Sequence, residues 1–206
     1  MTMDDRIQAV LDIYHAQIRD EGNRQGGLGP EDADWRDRML LPVGEEAGRF
    51  INIIAKSLNA PIILEIGTSY GYSGIWLGDA ARATGGRLIT LELQDYKSAY
   101  ASGMAERAGL ASHMEFQVGD ALALIDRLDV GIDFVLLDLW KDLYTPCLEA
   151  FYPKLNPGAI IVADNMIYPG GEDVARYGRA VRAKPGMTSV LLPVGQGLEI
   201  SRYQPA

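Results

Sequence analysis

The sequence predicts an α/β fold: a mostly parallel seven-stranded sheet, helices on both faces, and an antiparallel hairpin at the C-terminal end. Three observations predict it. Five short apolar runs recur between stretches of helical spacing, the pattern of parallel strands buried on both faces. A glycine-rich turn follows the first run and leads into a helix. Two further strand-like segments flank Gly195-Gln196-Gly197, which reads as a hairpin.

In chain order, Ile7, Val10, Leu11, Tyr14 and Ile18 recur at three- and four-residue spacing, so residues 4–21 read as an amphipathic helix. Residues 22–30 hold four glycines and a proline, the composition of a flexible joint. Helical spacing returns over 43–59 through Ala47, Phe50, Ile51, Ile54 and Leu58. Strands are then expected over 62–66, 87–91, 114–118, 134–137 and 159–162. Helices are expected near 74–83, 97–108, 121–128, 144–155 and 174–183, and hairpin strands over 189–193 and 198–203. There is no internal repeat and no low-complexity tract.

The 206 residues suit one domain, large enough to bury roughly 70% of the surface its unfolded form exposes. Apolar residues at 48% and charged residues at 23% are ordinary for a globular protein. No window approaches the ~20 apolar residues of a membrane span. The first residues lack the layout of a signal peptide, and the single cysteine, Cys147, agrees with a reducing compartment. A cytoplasmic location is therefore expected. A net charge of −9 without a basic stripe makes nucleic acid and anionic membrane poor partners. Monomer and homodimer both remain open.

The chemistry-bearing residues collect at strand ends. Asp138-Leu139-Trp140-Lys141-Asp142 follows the fourth expected strand, and Ala163-Asp164-Asn165 follows the fifth. Neighbouring parallel strands ending this way bring two carboxylates and an amide to one carboxyl edge, where open α/β sheets bind ligands. Three hard oxygen donors beside a lysine suit a magnesium-type cation holding an oxygen-rich substrate.

After the first strand runs Gly67-Thr68-Ser69-Tyr70-Gly71-Tyr72-Ser73-Gly74. Its spacing, G-x-x-x-G-x-x-G, differs from the dinucleotide fingerprint. Glu92 closes the second strand, where a carboxylate can accept both hydroxyls of a ribose. A nucleoside-bearing cofactor without a pyrophosphate fits these parts better than a dinucleotide does. Asp120, after the third strand, could accept from an adenine amino group. Taken alone, the glycines could simply close a βα turn. Gly67-Thr68-Ser69-Tyr70-Gly71 also matches the nucleophile elbow of α/β-hydrolases. The two histidines, His15 and His113, stand in the wrong order and place for a triad, so a hydrolase is disfavoured.

With these motifs together, the chain resembles the metal-dependent class I S-adenosylmethionine O-methyltransferases, whose members act on catechols and on caffeoyl-CoA. The resemblance covers nearly all of 43–203 and is strongest to the catechol O-methyltransferases. It rests on Val43-Gly44, Glu65-Ile66-Gly67, Gly71-Tyr72-Ser73, Asp138 with Trp140-Lys141-Asp142, Asp164-Asn165, Pro169-Gly170 and Gly197-Leu198-Glu199. It implies a Rossmann-like methyltransferase fold, with 1–42 as an N-terminal helical lid segment and 43–206 as the cofactor- and metal-binding core.

The resemblance also implies roles. Asp138, Asp164 and Asn165 match the magnesium ligands, and Lys141 the base that takes the proton from the attacking hydroxyl. Glu199 matches the carboxylate that hydrogen-bonds the second hydroxyl. Leu41, Trp140, Asn165 and Pro169 border the acceptor slot. Val43, Glu65, Gly67, Ser73, Glu92, Asp120 and Asp138 fall at the S-adenosylmethionine site. Three places depart from the catechol enzymes. Met39 and Leu41 stand where those enzymes carry a tryptophan gate and a methionine, Leu139 replaces a histidine, and Ser69 replaces a tyrosine.

Methyl transfer from a sulfonium needs a deprotonated oxygen in line with the methyl group. A divalent ion lowers the hydroxyl's pKa and fixes the direction of attack; positioning of this kind supplies up to ~7–11 kcal/mol of the barrier. Beside a divalent cation and a sulfonium, like charge disfavours an ammonium, which makes Lys141 a candidate base. The expectation is magnesium-dependent methylation of a small vicinal aromatic diol, with hydroxycinnamoyl-CoA or flavonoid acceptors as alternatives. A non-catalytic S-adenosylmethionine-binding module is the reading from a different class.

Overall fold

A computed structural model describes residues 4–25 and 38–206. Helix α1 (Asp5–Gln25) buries Ile7, Val10, Leu11 and Tyr14, the face its spacing predicts. It runs past the expected end at residue 21, so the glycine-rich joint begins inside it; the remainder of that joint lies outside the described residues. Helix α2 (Glu45–Lys56) starts after Gly44, whose φ of 86° a glycine adopts without a steric clash.

The core of the molecule alternates strand and helix: β1 (Ile62–Ile66), α3 (Tyr72–Thr84), β2 (Arg87–Glu92), α4 (Asp95–Ala108), β3 (Met114–Val118), α5 (Ala121–Arg127), β4 (Ile132–Leu137), α6 (Tyr144–Phe151), β5 (Leu155–Ala163) and α7 (Glu172–Ala183). Strands β6 (Met187–Leu192) and β7 (Leu198–Tyr203) complete the sheet. Two boundaries differ from expectation for one reason. The helix expected over 144–155 stops at Phe151 because Pro153 lacks the N–H that would continue it, and the chain turns through a short 3-10 segment. Leu155 can therefore join the sheet early, pairing with Ile132, which lengthens both β4 and β5.

The sheet order is β3-β2-β1-β4-β5-β7-β6, with β1 to β5 parallel and β7 antiparallel to both neighbours. Helices α1 to α4 cover one face around Trp76, Phe134 and Leu136, and α5 to α7 cover the other around Val135, Phe151 and Tyr177. This is the mostly parallel, doubly covered sheet with a terminal hairpin that the pattern of runs predicts. Strand order reverses between β1 and β4, which opens a crevice at their carboxyl ends.

Register places the site within that crevice. Ile66 pairs with Leu137, and Leu137 with Ala163, so Gly67, Asp138 and Asp164 follow in a row. Main-chain bonds continue past the strands: Asp138 N–H donates to the Ile66 carbonyl at 3.0 Å and Asp164 N–H to the Leu137 carbonyl at 3.1 Å. Gly67 adopts φ +103°, and a Cβ there would stand 2.0 Å from the Asp138 carbonyl oxygen. Only glycine lets the two strand ends pass this closely.

Gly67→Ala should therefore lower the melting temperature sharply, through positive-φ strain of order 1–3 kcal/mol together with the clash. Gly103→Ala, in open space on α4, should raise it slightly, by up to about 1 kcal/mol of helix propensity. Thermal melts of the two variants check the contrast, and equal shifts would contradict it.

Candidate active site

Lys141 lies at the centre of the carboxyl edge. Its Nζ donates to Asn165 Oδ1 at 2.6 Å, to Tyr144 OH at 2.8 Å and to Asp138 Oδ1 at 3.2 Å. Tyr144 OH in turn donates to the Asp164 main-chain carbonyl at 3.0 Å. The ends of β4 and β5 and the start of α6 are thus joined through one ammonium. Asn165 adopts φ +58°, a left-handed conformation that asparagine tolerates better than most residues. Its Nδ2 donates to Gln196 Oε1 at 2.5 Å.

Asp164 is 1% exposed, and its Oδ1 has no hydrogen-bond partner. Burial, reinforced by the charge of Asp138, pushes its carboxyl up to about 7. A buried acceptor left unpaired is costly, so the site has unused capacity for a cation. The donor chemistry fits a hard one. Among the described residues no group of three or more His, Cys, Asp or Glu gathers in one place. The set here is two carboxylates and an amide, and Mg2+ characteristically takes few protein oxygens and keeps its waters.

The glycine loop lies beside this cluster and is tied down by Glu92. Glu92 Oε2 accepts from Ser69 N–H at 2.7 Å, while Oε1 accepts from the Leu93 and Gln94 N–H groups at 3.0 and 3.1 Å. A carboxylate offers about four acceptor sites, so capacity remains for a ligand hydroxyl. Gly71, at φ 90°, opens α3, whose first N–H groups have no side-chain cap, the arrangement that receives a ligand carboxylate. Glu65 is fully buried and accepts from Ser73 Oγ at 2.6 Å and Thr90 Oγ1 at 2.5 Å. Burial pushes its carboxyl up to about 7. Val43 is buried, with its carbonyl facing the β6–β7 turn at Gly195. Asp120 is exposed and caps α5 by accepting from Ala123 N–H at 2.9 Å.

The other expected site residues divide. Trp140 is 64% exposed on the loop carrying Lys141, and Pro169 is exposed on the loop after Asn165, beside Ile167 and Tyr168. Leu41 is exposed just before α2. Glu199, by contrast, is fully buried on β7 opposite Ala163. Its Oε2 accepts from Arg182 Nη2 at 2.5 Å, and its Oε1 accepts from Ser189 Oγ. Ser69 Oγ donates to the Leu40 carbonyl at 3.3 Å, whereas His15 pairs with Tyr72 OH at 3.0 Å and His113 sits before β3. Neither histidine activates that serine.

Sequence reasoning missed Tyr144 and Gln196. Tyr144 is three residues beyond Lys141, a spacing that brings side chains together on a helical turn. Gln196 carried no signal beyond its flanking glycines. The tyrosines around the glycine loop were also missed: Tyr70 packs edge-on against Tyr96 and Tyr100, and Lys97 Nζ lies 5.5 Å from the Tyr70 ring centroid.

Comparison with known proteins adds a family. A sequence model described as O-methyltransferase matches residues 34–203. The chain is similar to the catechol O-methyltransferase of Niastella koreensis, 36% identical over 63% of this chain and 60% of the relative. It is also similar to catechol O-methyltransferase B of Danio rerio, 33% identical over 89% of this chain and 72% of the relative. A crystal structure of cofactor-bound Rv0187 from MTB superposes with a TM-score of 0.76 at 25% identity, covering 98% of this chain and 91% of the other. The chain spans about 60% of the length of the first curated relatives it matches. Among the described residues no helix is long and apolar enough to cross a membrane.

Glu65 and Asp164 have a consequence for stability. Both carboxyls are raised to about 7 in the folded protein, so between the ordinary carboxylate range near ~4 and 7 the native state binds more protons than the unfolded one. Stability then falls as pH rises through that window. In EDTA the melting temperature should drop between about pH 5 and pH 7 and level off above it. Glu65→Gln should remove one of the two contributions and flatten the profile; a wild-type profile that is flat throughout would refute this.

Proposed function

Because this chain belongs to the O-methyltransferase family, we propose that it transfers a methyl group from S-adenosylmethionine to a hydroxyl of a small catechol-like acceptor, with Mg2+ as the metal. One observation carries the reading. Asp138 Oδ1 and Asn165 Oδ1 meet at Lys141 Nζ, on the same strand edge as a buried, unpaired Asp164 oxygen and next to a glycine loop held by Glu92.

When bound, S-adenosylmethionine would supply the sulfonium-borne methyl group, and Mg2+ would supply charge that acidifies the acceptor hydroxyl and fixes its direction. Asp138, Asp164 and Asn165 would hold the metal. Glu92, Gly67, the open start of α3 and the Val43 backbone would hold the methyl donor. Asp120 stands free to meet its base, and Glu65 with Ser73 stiffens the loop from beneath. Lys141 then has one task, which is to take the hydroxyl proton at Nζ as the oxygen attacks. Tyr144 assists by accepting from Nζ while its own proton is held on the Asp164 carbonyl, so it cannot compete for the proton being moved.

Trp140 and Pro169 would wall the ring of the acceptor, with Leu41 across from them. The chain passes from Asn165 to the start of α7 at Glu172 in a short loop, which supports a small acceptor over a bulky thioester. Glu199 could reach a second hydroxyl only by releasing Arg182 and Ser189, so its contact with the acceptor is in competition with those bonds.

Adding Mg2+ to chelated protein should restore methylation of a simple catechol, and Asp164→Ala should abolish that response. Lys141→Ala should lower kcat by about 100-fold or more, the ordinary weight of a general base, with KM little changed. Full turnover in EDTA would overturn the metal assignment, and a pure KM effect at Lys141 would reduce that residue to positioning.

A further inference from the structure

The side chain beyond Asn165 has no assigned role, and its geometry is specific. Gln196 sits in the turn between β6 and β7, and its own carbonyl accepts from both the Ile167 and Tyr168 N–H groups, at 3.0 and 2.9 Å. Met166 N–H donates to the Gly197 carbonyl at 3.0 Å. The turn is pressed onto this loop: a Cβ on Gly197, at φ +97°, would lie 2.5 Å from Ile167 Cγ1. The hairpin turn and the 166–168 loop therefore form a clamp made of main-chain bonds, which leaves the Gln196 amide free to act.

The Gln196 amide oxygen accepts from Asn165 Nδ2 at 2.5 Å, while the Tyr168 carbonyl is a distant second acceptor at 3.4 Å. A carboxamide has an oxygen at one end and an NH2 at the other, of nearly equal size. Half a turn about its last torsion would present N–H donors where Asp138 Oδ1 and Lys141 Nζ converge. A cation cannot be held by that end. Whatever accepts from Nδ2 thus decides whether Asn165 is a ligand at all.

We infer that Gln196 is a positioning residue for the metal site: by accepting from Asn165 Nδ2 it holds the Asn165 oxygen toward Asp138 and so sets metal affinity. The inference rests on the metal reading proposed above. Partners one bond removed from a ligand commonly weigh tenfold to a hundredfold in metal affinity. Glu199 cannot fill this role, because its carboxylate is committed to Arg182 and Ser189 on the face covered by α7.

Titration of the full-length protein with Mn2+, followed by the EPR signal of the free ion, tests it without any turnover. Gln196→Leu, which keeps the bulk and loses the acceptor, should bind Mn2+ at least about tenfold more weakly than wild type. Gln196→Glu, which can only accept, should bind as tightly as wild type or more tightly. Methylation should follow the same order in the Mg2+ concentration for half-maximal rate, with kcat at saturating Mg2+ nearly unchanged. Equal Mn2+ binding by wild type and Gln196→Leu would overturn the role of Gln196, as would a Gln196→Glu variant as weak as Gln196→Leu. Wild-type protein that binds no Mn2+ would overturn the metal reading itself, and this inference with it.

Discussion

Strands β1, β4 and β5 end level with one another because Ile66 pairs with Leu137 and Leu137 with Ala163. The chemical groups depend on that alignment, since Asp138 and Asp164 each begin one residue later, their N–H groups held by the neighbouring strand. A slip of one residue would turn a strand's side chains to the opposite face. The cores resist such a slip, because Phe134 and Leu136 feed one hydrophobic cluster while Val135 and Leu137 feed the other. Apolar packing on both faces therefore sets the distance between two carboxylates that touch neither core.

The site pays for its readiness in stability. Asp164 is buried with one oxygen unpaired, Glu65 is buried outright, and Asn165 is held in a left-handed conformation. Each feature costs something on the order of 1–3 kcal/mol. Lys141 is the internal counter-charge that offsets part of this, bridging Asp138 and Asn165. The same groups that strain the fold are those a divalent cation would satisfy.

Much of this was legible in the sequence. The limits of β1, β3 and β7 follow directly from apolar runs bounded by Pro61, His113 and the Gly195–Gly197 turn. Errors fell where one residue changes the local rule: Pro153 ended a helix that apolar spacing alone would have continued to residue 155. The convergence of Asp138, Lys141 and Asn165 was readable because each follows a recognisable strand. Tyr144 and Gln196 were not, since their importance lies in which atom they face, and periodicity carries no information about that. Glu199 shows the same limit from the other side. Its strand was predicted correctly, yet the pairing of its carboxylate with Arg182 depends on how α7 packs across the sheet.

Strand β7 lies between β5 and β6, so β6 reaches the rest of the sheet only through a segment made after it. During synthesis on the ribosome, residues 187–192 emerge with no partner and must wait for 198–203 before they can pair. Until then the turn carrying Gln196 has nothing to press against, and the loop after Asn165 lacks the main-chain acceptors that shape it. The nascent chain can therefore assemble its nucleoside-facing half early, while the half that would grip a cation is finished last.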